Sequence, residues 1–104
     1  MKVYIIHENE EWTLPLKEHL KKLSVSFEDW HMDKVKVNTD SEPPLGVFYN
    51  RMSASSHARR HRFAPEYTAV VLNWLASYKR RIINGENALA LEISKSLQYK
   101  KLKN

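Results

Sequence analysis

Short apolar runs rich in β-branched and aromatic residues alternate along this chain with stretches in which apolar residues recur at helical spacing. Such runs are typical of strands, and such spacing is typical of amphipathic helices. The predicted strands are Lys2–His7, Val25–His31, Gly46–Asn50 and Arg81–Asn84, with a further short strand at Lys34–Val37. The order β-α-β-loop-β-α-β-α predicts a small Rossmann-like α/β domain, with a mostly parallel sheet of about four strands and helices on its faces.

Three helices are predicted between and after these strands. The first is Leu14–Leu23, with Thr13 as its N-cap and Pro15 in its first turn, where the missing N–H costs nothing. The second starts at Pro65, and the third is capped by Asn87. The second has an apolar stripe formed by Tyr67, Val70, Val71, Trp74, Leu75 and Tyr78, with Lys79, Arg80 and Arg81 at its C-terminal end, and the third has Leu89, Ile93 and Leu97 on one face.

Length and cysteine content limit the class of protein. The length of 104 residues predicts a single domain, residues 1–104, with a modest core. No apolar run is long enough to span a membrane, and the first residues predict a strand and not a signal peptide. The absence of cysteine excludes disulfides and a thiol nucleophile, which fits a cytoplasmic protein.

Charge is distributed unevenly between the two halves of the chain. Residues 1–50 carry 6 Lys/Arg and 9 Asp/Glu, a net −3, whereas residues 51–104 carry 11 and 3, a net +8. A basic half of this kind can meet nucleic acid, nucleotide phosphates, acidic substrates or the acidic face of another domain.

The basic half begins with a loop that follows the third predicted strand. This loop, Arg51–Ala64, combines arginines, histidines and serines at the carboxyl end of a strand, where ligands gather in open α/β sheets. Arginine suits carboxylate and phosphate groups because its planar fork donates two hydrogen bonds at once. The loop therefore predicts either an anion site or a solvated basic surface. The candidate anion-binding residues are Arg51, Ser53, Ser55, Ser56, His57, Arg59, His61 and Arg62.

The sequence gives less support to other kinds of functional site. His57 and His61 have the spacing of two metal ligands on a helix, but the neighbouring arginines disfavour a cation. His7, His19 and His31 are interpreted as surface or boundary residues. The chain has no phosphate-binding glycine loop, no G-x-S-x-G and no H-E-x-x-H, and no zinc-finger, homeodomain or RNA-recognition motif.

Three stretches resemble the N-terminal, pre-ATP-grasp domain of ATP-grasp ligases of the α-L-glutamate ligase type, which are relatives of glutathione synthetase. They are VFYNRMSASSH at Val47–His57, HRFAPEYTAVVLNWL at His61–Leu75, and RIINGENALALEISKSLQYKKL at Arg81–Leu102. The last stretch ends where such ligases continue into the ATP-grasp domains. Arg60 departs from the family pattern, in which a small residue is expected.

The resemblance implies a Rossmann-like unit that packs on ATP-grasp domains and helps to line the substrate site. The full ligases use ATP and Mg²⁺ to activate a carboxylate, such as a glutamate or peptide, for attack by an amine. By the same resemblance, Arg51 and the Ser53–Arg62 loop would face the carboxylate or acyl-phosphate, and Lys95 would contact ATP phosphates. Lys95 can equally be an exposed helix lysine. The ATP-grasp domains are absent from this chain, so the chain alone is expected to bind neither ATP nor Mg²⁺ and to be inactive as a ligase.

Two other functions stay open at this point. The chain can be a stand-alone module that binds an anion or an acidic peptide through the same loop, or a weak nucleic-acid binder whose affinity falls with salt. If apolar surface normally covered by the ATP-grasp domains is exposed, the isolated chain is expected to form a homodimer. A membrane partner is not expected.

Overall fold

A computed structural model describes residues 2–8, 10–32, 34, 36–52 and 64–103. Within these residues, four strands and three helices alternate. They are β1 (Lys2–His7), α1 (Glu10–Lys22), β2 (Ser26–His31), β3 (Val47–Asn50), α2 (Ala64–Ser77), β4 (Arg81–Asn84) and α3 (Glu86–Lys103).

The four strands form one sheet in the order β2-β1-β3-β4, and every neighbouring pair is parallel. The prediction of a small α/β domain with a mostly parallel sheet is confirmed. β1 and β3 are the central strands, and their side chains are buried on both faces, as parallel sheets between helices require.

The alternation of side chains along the central strands divides the core into two layers. Tyr4, Ile6 and Phe48 face α2, where they pack with Val71 and Leu75. The intervening residues face α1 and α3 on the opposite side. This second layer contains Val3, Ile5, Val47, Tyr49, Leu20, Leu89 and Ile93.

Aromatic rings fill the layer beneath α2. The Tyr4 and Phe48 rings stack with centroids 4.7 Å apart, and Trp30 lies 5.3 Å from Phe48 and 6.4 Å from Trp74. The Trp30 indole N–H donates to Glu28, which satisfies its polar atom. Trp30 and Trp74 are therefore core residues, whereas Trp12 is 45% exposed on α1.

The start of α1 differs from the prediction. The helix begins at Glu10, so Thr13 is not its N-cap and Pro15 lies beyond its first turn. Thr13 is instead buried, at 1% exposure, on the side of the helix that packs against the sheet. Packing against the sheet outweighs the local capping signal, because the helix stabilises itself mainly through its buried face.

Two helices end without the glycine that usually marks such an end. Ser24 follows α1 with φ 58° and Lys79 follows α2 with φ 59°. Val25 N donates to Leu20 O, and Arg80 N donates to Leu75 O, which is the Schellman pattern. α2 therefore ends at Ser77, and Lys79, Arg80 and Arg81, which were predicted at its C-terminal end, follow its last turn.

The segment between β2 and β3 contains no strand among its described residues. Lys34, Lys36 and Val37 do not pair with the sheet, so the predicted short strand is wrong there. Val37 N instead donates to the Tyr67 hydroxyl at 2.8 Å, and the Trp74 indole N–H donates to Ser41 O at 2.8 Å. Val37 and Ser41 of this segment are thus held by side chains of α2.

The apolar faces of α2 and α3 are narrower than predicted. Val70 and Tyr78 are exposed, as is Leu97, while the remaining apolar positions contact the core. α3 begins at Glu86, so Asn87 lies inside the helix and is not its cap.

Candidate functional site

The carboxyl ends of all four strands lie along one edge of the sheet, because every pair is parallel. In the pairing register His31 lies opposite His7, Asn50 opposite Ile6, and Asn84 opposite Asn50. The chain leaves β1 toward β2 on one side and later returns as β3 on the other. The crevice between β1 and β3 is therefore the topological switch point, where open α/β sheets bind ligands.

Backbone hydrogen bonds fix the chain at this crevice. Ile6 O accepts from Arg51 N at 2.7 Å, while the next carbonyl, His7 O, accepts from Met32 N at 2.8 Å on the opposite side. The first bond extends the β1–β3 pairing one residue beyond the end of β3. Arg51 is consequently held, half-buried, at the switch point itself.

Two asparagine side chains are joined beside Arg51. Asn50 Nδ2 donates to Asn84 Oδ1 at 3.0 Å, and Asn50 Oδ1 accepts from Met52 N at 3.2 Å. Parallel pairing brings these two asparagines together from positions 34 residues apart. They form a polar bridge across the ends of β3 and β4.

An open cavity of about 840 Å³ lies over these strand ends and the first turn of α3. N–H groups in the first turn of a helix have no partner within the helix, and the dipole makes that end positive. Together with the arginine and the amides, this turn favours ligands with acceptor oxygens or negative charge. The lining residues are Tyr49, Asn50, Arg51, Met52, Asn84, Gly85, Asn87 and Ala88.

Of the predicted anion-binding residues, the structure brings Arg51 to this cavity. The others lie outside the described residues, so their roles stay predictions: they are Ser53, Ser55, Ser56, His57, Arg59, His61 and Arg62. Lys95 is exposed on α3 and is not among the residues that line the cavity. At a rise of about 1.5 Å per residue, it lies about 14 Å along the helix from Glu86.

Sequence reasoning interpreted Asn50 and Asn84 only as strand ends. A signal for them was present, since VFYN and RIIN each finish on asparagine and both strands were predicted to be parallel. Adjacent parallel strands that end on the same residue type place those side chains together, provided that the strands are neighbours. The sequence did not specify that neighbourhood.

A second polar cluster lies near the ends of β1 and β2. His7 is 1% exposed, and its Nε2 lies 2.9 Å from Asp29 Oδ1, while Lys17 pairs with the other Asp29 oxygen. Burial lowers the pKa of His7 below its usual 6.5, against the opposing effect of Asp29. The interpretation of His7 as a surface or boundary residue is therefore wrong, because its ring is enclosed.

The apolar groove between α1 and α3, about 590 Å³ in volume, is the other concave surface of note. Trp12, Leu16, Leu89, Ile93 and Leu97 contribute to its lining. Trp12 and Leu97 keep 45% and 41% of their surface exposed, so this groove presents apolar area to solvent.

Comparison with protein-family models, curated proteins and solved structures found no significant match to this chain. In the part of the chain that the structure describes, no helix combines the length and apolar character needed to cross a membrane. Within the same residues, no group of three or more His, Asp or Glu side chains could hold a metal ion.

Proposed function

We propose that the carboxyl edge of this sheet binds a carboxylate group, and that the chain is the substrate-side, pre-ATP-grasp domain of an ATP-dependent carboxylate–amine ligase. The observation that carries the binding part is the position of Arg51. It lies at the switch point between β1 and β3 and lines a cavity large enough for a small molecule.

The chemistry of the cavity supports a carboxylate ligand. An arginine fork matches the two oxygens of a carboxylate, and a bond between charged groups is about twice as strong as a neutral one. The Asn50–Asn84 bridge and the first turn of α3 add neutral donors beside it. Arg51 belongs to the half of the chain that carries a net charge of +8, residues 51–104, and such a charge favours association with an anion.

The assignment to a ligase rests on the resemblance of three stretches to the glutamate ligase type, and the all-parallel sheet is the fold that this resemblance implies. In this proposal the chain orients the substrate and does not catalyse ligation by itself. The described residues do not suit Mg²⁺, since they offer no cluster of ligands. ATP and Mg²⁺ are therefore assigned to the ATP-grasp domains, and the suggested contact of Lys95 with ATP phosphates stays a prediction.

The proposal also includes a binding partner and a location in the cell. The exposed apolar groove between α1 and α3 would pack against the ATP-grasp domains, and two isolated chains would pair through it as a homodimer. Sedimentation that shows only monomer at high concentration would contradict the homodimer. The cytoplasm is proposed because a chain without cysteine makes no disulfides.

Titration with glutarate, followed by ¹H–¹⁵N NMR, tests carboxylate binding in the 104-residue chain. We expect saturable shifts at Asn50, Asn84 and Asn87, and Arg51→Ala should weaken binding by about tenfold or more, the loss expected for a hydrogen bond to a charged group. Arg81→Ala is the matched control, since Arg81 begins β4 at the opposite edge of the sheet. Absence of saturable shifts, or equal weakening by both variants, would refute the proposal.

The concentration of positive charge after residue 50 favours a second candidate, a stand-alone module for an acidic peptide. This module would use the Arg59 and Arg62 side chains as well as Arg51. A glutamate-rich peptide should then bind far more tightly than glutarate, and the double variant Arg59→Ala/Arg62→Ala should remove that difference. Equal affinities for the peptide and glutarate would exclude the module.

A further inference from the structure

We propose that Asn84 is the specificity-determining residue of this edge, and that it selects a carboxylate over the corresponding amide. The inference rests on the proposed carboxylate binding and assigns the selection to one side chain. It follows from a chain of hydrogen bonds that begins at a backbone N–H and fixes the direction of two side-chain amides.

The first step is the orientation of Asn50. A backbone N–H can only donate, so the Asn50 atom that meets Met52 N at 3.2 Å must be the acceptor Oδ1. The other end of the same amide, Nδ2, then faces Asn84. Since the oxygen and nitrogen of an amide are distinguished by their hydrogen-bond partners, Met52 N decides this orientation.

In the second step, the orientation of the Asn50 amide fixes the orientation of the Asn84 amide. Asn50 Nδ2 carries only donors, so the Asn84 atom at 3.0 Å must be its acceptor Oδ1. Asn84 Nδ2, with two N–H groups, consequently points away from Asn50. Among the described residues this nitrogen has no acceptor, and Asn84 is an exposed residue that lines the cavity.

The consequence is that Asn84 presents N–H donors, and not its oxygen, at the lining of the cavity. A carboxylate offers acceptors at both oxygens, so it can accept from the Asn84 N–H groups, and Arg51 lines the same cavity. An amide offers one acceptor oxygen, and its NH₂ group would meet a donor. The edge should therefore prefer glutarate to glutaramide, in which both carboxylates are replaced by amides.

Two isosteric substitutions test the assignment, because each should place an oxygen of residue 84 toward the cavity where the wild type has N–H groups. Asn84→Asp retains an acceptor for Asn50 but turns an oxygen toward the cavity. Asn50→Asp retains the acceptor for Met52 and offers a second acceptor to Asn84, whose amide should rotate so that its oxygen faces the cavity. Asn87→Asp is the control, because it adds the same charge to the lining of the same cavity.

The measurement is the ratio of the glutaramide and glutarate dissociation constants from NMR titration, with thermal unfolding to verify that each variant folds. We expect wild type and Asn87→Asp to prefer glutarate by about tenfold, the worth of one hydrogen bond to a charged group. Asn84→Asp and Asn50→Asp should abolish or invert the preference. The Asn84 side-chain NH₂ resonances should also shift with glutarate in wild type.

The outcomes separate this inference from the proposed function. If glutarate binds and depends on Arg51, but Asn84→Asp lowers the ratio no more than Asn87→Asp, the role of Asn84 is refuted and carboxylate binding stands. If glutarate does not bind wild type at all, carboxylate binding and the inference are both refuted.

Discussion

The Nε2 atom of His7 lies 2.9 Å from Oδ1 of Asp29, and the two residues stand on neighbouring parallel strands. In the neutral ring Nε2–H donates to the carboxylate, and Nδ1 is buried and has no hydrogen-bond partner among the described residues. Lys17 approaches the same carboxylate from α1, and the His31 ring lies edge-on, 5.1 Å away. A proton added to His7 would therefore enter a buried position that already has a cation nearby.

The free energy of unfolding should decrease as the pH is lowered below about 6.5, because of His7. Burial, together with His31 and Lys17, lowers its pKa in the folded chain below 6.5, despite the opposing effect of Asp29. The unfolded chain then binds the proton more readily. The free energy of unfolding is undiminished above pH 6.5 and decreases as pH falls toward the folded-state pKa, by at most about 1.4 kcal/mol per pH unit. Urea unfolding between pH 7.5 and 5 measures this slope.

The matched variants for this slope are His7→Gln and His19→Gln. The first should be less stable at neutral pH and have a shallower slope, since it removes the buried titrating ring. The second should retain the wild-type slope, because His19 is exposed on α1. An unchanged slope in His7→Gln would show that another group titrates.

Arg80→Lys should destabilise the fold by about 1–3 kcal/mol. The Arg80 guanidinium donates to Pro43 O, Pro44 O, Tyr78 O and Glu42 at 2.7, 3.0, 2.9 and 3.1 Å, and its side chain is 10% exposed. An ammonium group cannot span these four acceptors. Arg81→Lys is the control, because Arg81 is 64% exposed and lies 3.6 Å from Glu92. Equal losses in urea unfolding would contradict the prediction.

Gly46→Ala should cost more stability than Gly85→Ala. Both glycines have positive φ, 154° and 92°, so each substitution strains the backbone by about 1–3 kcal/mol. A Cβ at position 46 would also lie 2.7 Å from Lys2 O, whereas at position 85 no atom of the described residues, apart from the two adjoining ones, lies within 4 Å. The Lys2 carbonyl belongs to β1 and cannot move without disturbing the sheet. A smaller drop in Tm for Gly46→Ala than for Gly85→Ala would refute this reading.

Tyr67→Phe should loosen the segment between β2 and β3. The Tyr67 hydroxyl accepts from Val37 N at 2.8 Å, and its loss leaves a partly buried donor without its acceptor, at a cost of about 1 kcal/mol. The amide of Val37 should exchange with deuterium at least several-fold faster. Tyr78→Phe is the comparison, because that ring is 40% exposed. Unchanged exchange at Val37 would show that the hydrogen bond does not hold the segment.

Local patterns predicted β1 and β4 with their observed bounds, since both are short runs dominated by apolar or β-branched residues. Local signals failed where tertiary packing opposed them. Thr13 and Pro15 indicated a helix start, but the helix begins earlier, at Glu10, and Thr13 is buried within it. Lys34–Val37 alternates like a strand, yet Val37 is bound by a tyrosine on α2.

From the sequence, one residue of the candidate site, Arg51, and the edge of the sheet at which it lies could be predicted. Arg51 could be assigned to the end of a strand because that strand was readable from its own residues. Asn84 could not be assigned to the same site, since its meeting with Asn50 depends on which strands are neighbours. The environment of His7 was hidden for the same reason, because Asp29 and Lys17 belong to other elements.

The sequence by itself determined the four strands and three helices that the structure contains, though not all of their ends, that the sheet is mostly parallel, and that cationic groups follow β3. Only the tertiary structure decided the order β2-β1-β3-β4, which brings Arg51 to the switch point and Asn84 beside Asn50. The physical reason is the range of the interactions. Periodicity and turn chemistry act within a few residues, whereas strand order follows from burying two apolar faces at once, a condition that involves the whole chain.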